Sequence, residues 1–285
     1  GQRAQGTGPS GSRKGPGAGT WGSRVLGQVA GVRAVSALAF ERIDPGLLGR
    51  CSWETEQAQR DAEVLAWVGR FRFVTAQPIA LRFDVSWQQA NARVRRLERV
   101  RLLGTERQHL SQARAIFLTG RGHELLGWRR RRAPRAQVHR EHEEAIVRLV
   151  TELECEYSDA LVLTERECRQ LDDPAKGRRY GVEVFGDGRD NKRWPDAILE
   201  TAEGRRAFEL EFSPKGTDRL KRIVDAYECS GYEDVMFLVK SAALGRRIKR
   251  LRKPADETLR LLGWSRRPVH VVPWNGLPEV EYRVL

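Results

Sequence analysis

Glu209 and Glu211 stand two residues apart in Ala207-Phe208-Glu209-Leu210-Glu211-Phe212. A strand sends residues i and i+2 to the same side, so the two carboxylates share one face and Phe208, Leu210 and Phe212 share the other. Upstream lies Trp194-Pro195-Asp196-Ala197-Ile198-Leu199-Glu200, joined to the first segment by the polar turn Thr201-Ala202-Glu203-Gly204-Arg205. A chain reversal there makes the two segments antiparallel neighbours and brings Asp196 to the same spot. Three acids at a sheet edge attract a hard divalent cation, Mg²⁺ with Mn²⁺ as its substitute, because such ions prefer carboxylate and water oxygens. In that scheme Asp196 and Glu209 are the metal ligands and Glu211 orients or deprotonates an attacking water. Lys215, four residues beyond Glu211, offsets charge on the phosphate or packs its stem beside the next helix. These four are the candidate catalytic residues of a phosphodiesterase. The alternative is that Glu209 and Glu211 merely line the solvated face of an ordinary strand.

Elements to position these acids follow from periodicity. Residues 133–285 predict a helix over 138–154, a short strand or apolar run at Ala160-Leu161-Val162-Leu163, and a capping box at Thr164-Glu165-Arg166-Glu167 that opens a short helix. Strands are predicted over 182–185, 196–200 and 207–212. Leu220, Ile223, Val224 and Tyr227 mark an amphipathic helix, followed by a buried strand at 235–239, a basic helix over 242–252 and a closing strand at 269–272. This order predicts an α/β sandwich with a mixed sheet. Glu143 and Glu144 on the helix before the sheet either add a metal ligand or, as is commoner for paired helical acids, face solvent. His139 and His142 have metal-ligand spacing but no third partner, and read as helix-start residues. No His-x-His occurs, which sets aside a relaxase mechanism using a nucleophilic tyrosine.

The charge is uneven. The net is +13, with seven basic against two acidic residues in 1–50, seventeen against eight in 51–138, and twenty-seven against twenty-eight beyond. A positive field concentrated in one module is the footprint of a polyanion binder, and double-stranded DNA is the leading partner. The arginine excess suits phosphate forks, although a GC-rich genome produces the same bias.

Residues 1–53 read as a disordered or weakly ordered basic tail, with an unassigned apolar run at Val35–Phe40. Over 54–132 the pattern tightens. Ala62, Val64, Leu65 and Val68 give one helix. Thr75 caps a second, with Pro78 in its first turn, and Ser86-Trp87-Gln88-Gln89 is a capping box opening a third whose inner face is Ala90, Val94 and Leu97. A hairpin containing Ala115-Ile116-Phe117-Leu118 and a helix starting at Thr119 complete a winged helix-turn-helix. Trp87, Gln88, Gln89, Asn91 and Arg93 then face the major groove. Arg129, Arg130, Arg131 and Arg132 follow as a linker able to track a phosphate backbone.

No stretch reads as a membrane span or signal peptide, and the four cysteines form no C-x-x-C pair. A reduced cytoplasmic setting is expected. Gly1 opens the chain and Met236 is its only methionine, so a natural start outside these residues is also expected.

Phe71-Arg72-Phe73-Val74-Thr75, Leu118-Thr119-Gly120-Arg121-Gly122, Leu163-Thr164-Glu165-Arg166-Glu167-Cys168-Arg169, Pro195-Asp196, Phe208-Glu209-Leu210-Glu211, Lys215, Arg219-Leu220 and Tyr227 together resemble the replication-relaxation family of bacterial plasmids and mobile elements. The resemblance spans roughly residues 55–250. It implies a winged helix followed by a restriction-endonuclease-like, PD-(D/E)XK-type domain. It also implies DNA binding in replication, relaxation or transfer; other replication or transfer proteins and a second copy of the chain, as a homodimer, are further candidate partners. Glu211 replaces the lysine of that nuclease signature, which leaves two alternatives: a Mg²⁺-dependent endonuclease, or a non-catalytic regulator or initiator accessory with a degenerate nuclease-like assembly domain.

Overall fold

The computed structural model describes residues 56–107, 112–128, 140–173, 175, 180–184, 192–213, 215–251 and 268–274. The predicted tail over 1–53, Val35–Phe40, His139 and the run Arg129–Arg132 lie outside these residues.

The first helix, α1 (Glu56–Gly69), buries Ala62, Val64, Leu65 and Val68 as their spacing requires. Helix α2 (Ala76–Arg82) follows. Thr75 holds the extended N-cap backbone conformation, but its side chain makes no capping bond. In α3 (Trp87–Arg99) both halves of the Ser86/Gln89 capping box form, and Ala90, Val94 and Leu97 turn inward. Strands β1 (Leu103–Glu106) and β2 (Ala115–Leu118) pair antiparallel with Leu103 opposite Leu118. Val74 joins the hairpin through reciprocal 2.8 Å backbone bonds with Ile116. Thr119 caps α4 (Gly120–Leu125) by accepting from the Gly122 N–H.

Helix α5 (Arg140–Glu156) leads into β3 (Leu161–Thr164) and α6 (Glu165–Leu171), which opens on the predicted Thr164/Glu167 capping box. Strands β4 (Val182–Glu183) and β5 (Lys192–Arg193) form a separate two-stranded ribbon. The segment at 182, predicted as a strand, therefore does not join the main sheet, and the segment at 160, read as a short strand or apolar run, supplies the edge strand.

The main sheet is completed by β6 (Ala197–Thr201), β7 (Gly204–Glu211), β8 (Asp234–Val239) and β9 (Val269–Pro273). Its order is β3-β6-β7-β8-β9, with the first three strands antiparallel and the last three parallel. The parallel crossovers are α7 (Thr217–Glu228) and a connection containing α8 (Ala242–Leu251). The α/β class and mixed sheet are those the sequence predicts. At the β6–β7 turn Thr201 pairs with Gly204, whose φ of 144° and close approach to the Glu233 side chain suit glycine alone.

One sheet face, with Phe208 and Leu210, packs on α5. The opposite face, with Ala207, Val235 and Phe237, packs on α7 and α8. The α5-side core also includes Leu65, Val68, Ile79 and Val94 of the N-terminal helices. The two segments that the sequence divides near residue 133 are therefore joined by continuous apolar packing.

Candidate functional site

The acids are placed by β-sheet register. Ala197 pairs with Phe208, so Asp196, one residue ahead of β6, stands across from Glu209. Asp196 Oδ2 accepts the Leu210 backbone N–H at 2.8 Å. Glu209 and Glu211 do share a strand face, but that face is neither solvated nor open: each residue is only 1% exposed. Helix α7 covers it, because Leu220, Ile223, Val224 and Tyr227 fall on one side of the helix and seek the sheet.

Burial of a carboxylate demands counter-charge and hydrogen bonds, and the chain supplies both. Arg193, at the end of β5, donates to Glu209 Oε2 at 2.5 Å and to Oε1 at 3.3 Å. Tyr227 donates its hydroxyl to Glu209 Oε1. Burial lifts the Glu209 carboxyl above the ordinary carboxylate range, working against the neighbouring Arg193 charge and with that of Asp196. Arg193 is held firmly charged, first by Glu209. Glu211 is paired with Lys215, so the lysine turns back onto the acid and is not left free in the loop.

His142, in the first turns of α5, completes the cluster. Its Nε2 lies 3.0 Å from the Leu210 carbonyl and 3.5 Å from Asp196 Oδ2. Burial opposes its charge, but the Asp196 carboxylate and the Leu210 carbonyl outweigh that and lift it to about 8. His142 is thus tied to the trio, which its spacing from His139 does not reveal.

Beside the trio, where the segment following α1 meets α5, α6 and α7, lies a cleft of about 440 Å³ lined among others by Arg70, Arg72, His142, Arg193, Asp196 and Arg219. Its walls are braced. Arg70 is buried and donates to Glu167 at 2.9 Å, to the Val162 carbonyl at 2.6 Å and also to Glu154. Arg166 donates to the Gly69 carbonyl at 2.5 Å and stacks on Trp128 at 4.5 Å. Arg219 is exposed at the rim.

A divalent ion at this trio competes with internal partners, above all at Glu209, whose two oxygens are both engaged. Asp196 serves a backbone N–H, Glu209 serves Arg193 and Tyr227, and Glu211 serves Lys215. Among the described residues no group of three or more His, Cys, Asp or Glu is arranged to hold a metal ion. The donor set as folded does not fit Mg²⁺ or Mn²⁺.

The predicted groove-facing residues divide. Trp87, 60% exposed, and Gln88 are free on the surface of α3. Gln89 and Asn91 have local duties, since Gln89 Oε1 accepts from Ser86 N and Asn91 Nδ2 donates to the Trp87 carbonyl. Arg93 is half-buried. Opposite the buried Ala90, Val94 and Leu97 runs an exposed row of Gln88, Ala92, Arg95 and Arg99. The arginines of that row were not predicted, although their i+3 and i+4 spacing from Ala92 and Arg95 carries the signal. Arg193 and Tyr227 were also not predicted as site residues. A tyrosine on a core-facing helix row needs a partner for its hydroxyl, which was the available clue.

No family model matches the chain, and comparison with curated proteins and with solved structures finds no significant match. Among the described residues, no helix is long and apolar enough to cross a membrane.

Proposed function

We propose that this chain is a double-stranded-DNA-binding protein, of a plasmid or mobile element, acting in replication, relaxation or transfer. Residues 56–128 act as a winged helix-turn-helix, with α3 entering the major groove and β1–β2 as the wing. Residues 140–274 act as a restriction-endonuclease-like domain whose acids brace the fold and perform no cleavage. The observation that carries this reading is α3 itself. It is capped at its start, buried along one side and exposed along Gln88, Ala92, Arg95 and Arg99, with neither arginine ion-paired among the described residues. Amide and guanidinium groups on one open helix row suit base edges and phosphates.

The experiment is fluorescence anisotropy of the full chain with duplex DNA across a salt series. Expected is binding whose affinity falls steeply with salt, with a slope reduced by about 1 for each of Arg95→Gln and Arg99→Gln. Absence of binding at low salt overturns the proposal.

A second reading, a Mg²⁺-dependent endonuclease using Asp196, Glu209, Glu211 and Lys215, is favoured by the proximity of Asp196 to Glu209 across β6 and β7. It requires the internal partners of those acids to yield. Thermal stabilisation by Mn²⁺, with plasmid nicking abolished by Asp196→Asn and Glu211→Gln, would establish it. Unchanged melting and intact plasmid support the non-catalytic reading.

A further inference from the structure

Beyond residue 138 basic and acidic residues nearly cancel, yet their placement is polarised. Helix α8 has the sequence AALGRRIKRL, four cations and no acid. Leu244, Gly245 and Ile248 are buried, which fixes the outward side, and Arg246, Lys249 and Arg250 are exposed. None of these three has an ion pair among the described residues. Elsewhere in the same unit helical arginines find an acid one turn away: Arg140 with Glu144 at 2.8 Å, Arg148 with Glu152 at 2.6 Å and Arg169 with Glu165 at 2.5 Å. On α8 the residue one turn beyond Arg246 is Arg250, a like-charge spacing that weakens a helix and gives nothing back to the fold. The face extends onto α7. Arg247 Nη2 donates to Thr217 Oγ1 at 2.5 Å, and the exposed Lys221 stands one turn along from Thr217.

We propose that α8 with the first turns of α7 is a second DNA contact that grips the phosphate backbone without regard to base sequence. The proposal rests on the reading of the chain as a duplex-DNA-binding protein, and adds a site on the unit whose overall charge gives no hint of one. Arginine forks and lysine point charges are the groups that neutralise phosphates and release counter-ions. An anionic bilayer fits less well. Interfacial helices insert an apolar side, and Leu244 and Ile248 are already packed into the core beneath the sheet.

The test is the full chain carrying R246Q, K249Q and R250Q together, titrated with two unrelated duplexes across a salt series. The slope of log affinity against log salt should become shallower by about 2 to 3, from about 0.9 per phosphate contact. Affinity should fall about equally for both duplexes, and R246K/R250K should retain most of the wild-type behaviour. Far-UV circular dichroism checks folding. If the triple variant fails to fold, R250Q alone should lower the slope by about 1. A folded triple variant that tracks wild type at every salt, while R95Q/R99Q loses binding, overturns this inference alone. Failure of the wild-type chain to bind DNA overturns it together with the proposed function. Wild-type binding to phosphatidylserine vesicles that is lost in the triple variant, with DNA binding unaltered, assigns the face to membranes and also overturns it.

Discussion

Arg70 and Glu167 meet across 97 residues of sequence: the guanidinium Nε donates to the same carboxylate that closes the capping box of α6. One acid thus opens a helix and fastens the N-terminal segment to the sheet unit. Glu154 shares the task, accepting from Arg70, from Arg82 Nε at 2.5 Å and from Trp67 Nε1 at 3.0 Å.

Removing Arg70 leaves the buried Glu167 without its cation and leaves Glu154 to Arg82 and Trp67. Arg70→Gln should cost about 3 to 5 kcal/mol, measured by urea unfolding, because the loss of one partner leaves uncompensated buried charge. Loss confined to one of two separate unfolding transitions would show that the seam does not couple the units.

Arg193→Met should leave Glu209 buried without its cation. The Glu209 carboxyl then favours its protonated form in the folded state still more strongly. A raised folded value means stability present at low pH and lost as pH rises, so the variant should be more impaired at pH 8 than at pH 5. Adding Glu209→Gln should recover much of the loss at pH 8. Equal impairment at both pH values would contradict the charge assignment.

His142 makes a prediction of the same sign. Its folded value is raised from 6.5 to about 8. Its contribution, about 2 kcal/mol at 1.36 kcal/mol for each pKa unit, is complete below about pH 6.5 and disappears as pH rises through about 8. His142→Asn should flatten the pH dependence of unfolding between those limits, and an unchanged profile would remove His142 from the cluster's electrostatics.

On α3, Gln88→Ala should weaken binding unequally among DNA sequences, because an amide reads base edges, while Arg99→Gln should weaken binding to all about equally. Competition binding with a randomised duplex pool distinguishes the two outcomes.

What could be read from the sequence was what short range decides. The Ser86 and Thr164 capping boxes depend on residues three apart, and both form. Periodicity identified the buried rows of α3 and α7 and the shared face of Glu209 and Glu211. It did not reveal what covers that face. Alternation states which side chains are neighbours, while burial depends on a helix that begins after the strand ends and presses Tyr227 onto Glu209. Arg193 was hidden because β5 is two residues long, too short for any pattern. The Arg70, Glu154 and Glu167 seam involves contacts 84 and 97 residues apart, and nothing near Arg70, just beyond α1, or near the two helical acids signals those pairings.

That seam changes the statistics of a ligand that touches both parts of the chain. Two modules on a loose tether search for their second contact at a concentration set by linker length. Here Arg70, Arg166 and the shared apolar core fix the spacing between α3 and α8 when the protein folds, so for any ligand that spans both, orientational entropy is lost before it arrives. If the proposed contacts of α3 and α8 both engage one duplex, the distance between them acts as a molecular ruler, and helical phase, more than tether length, determines whether both are made at once.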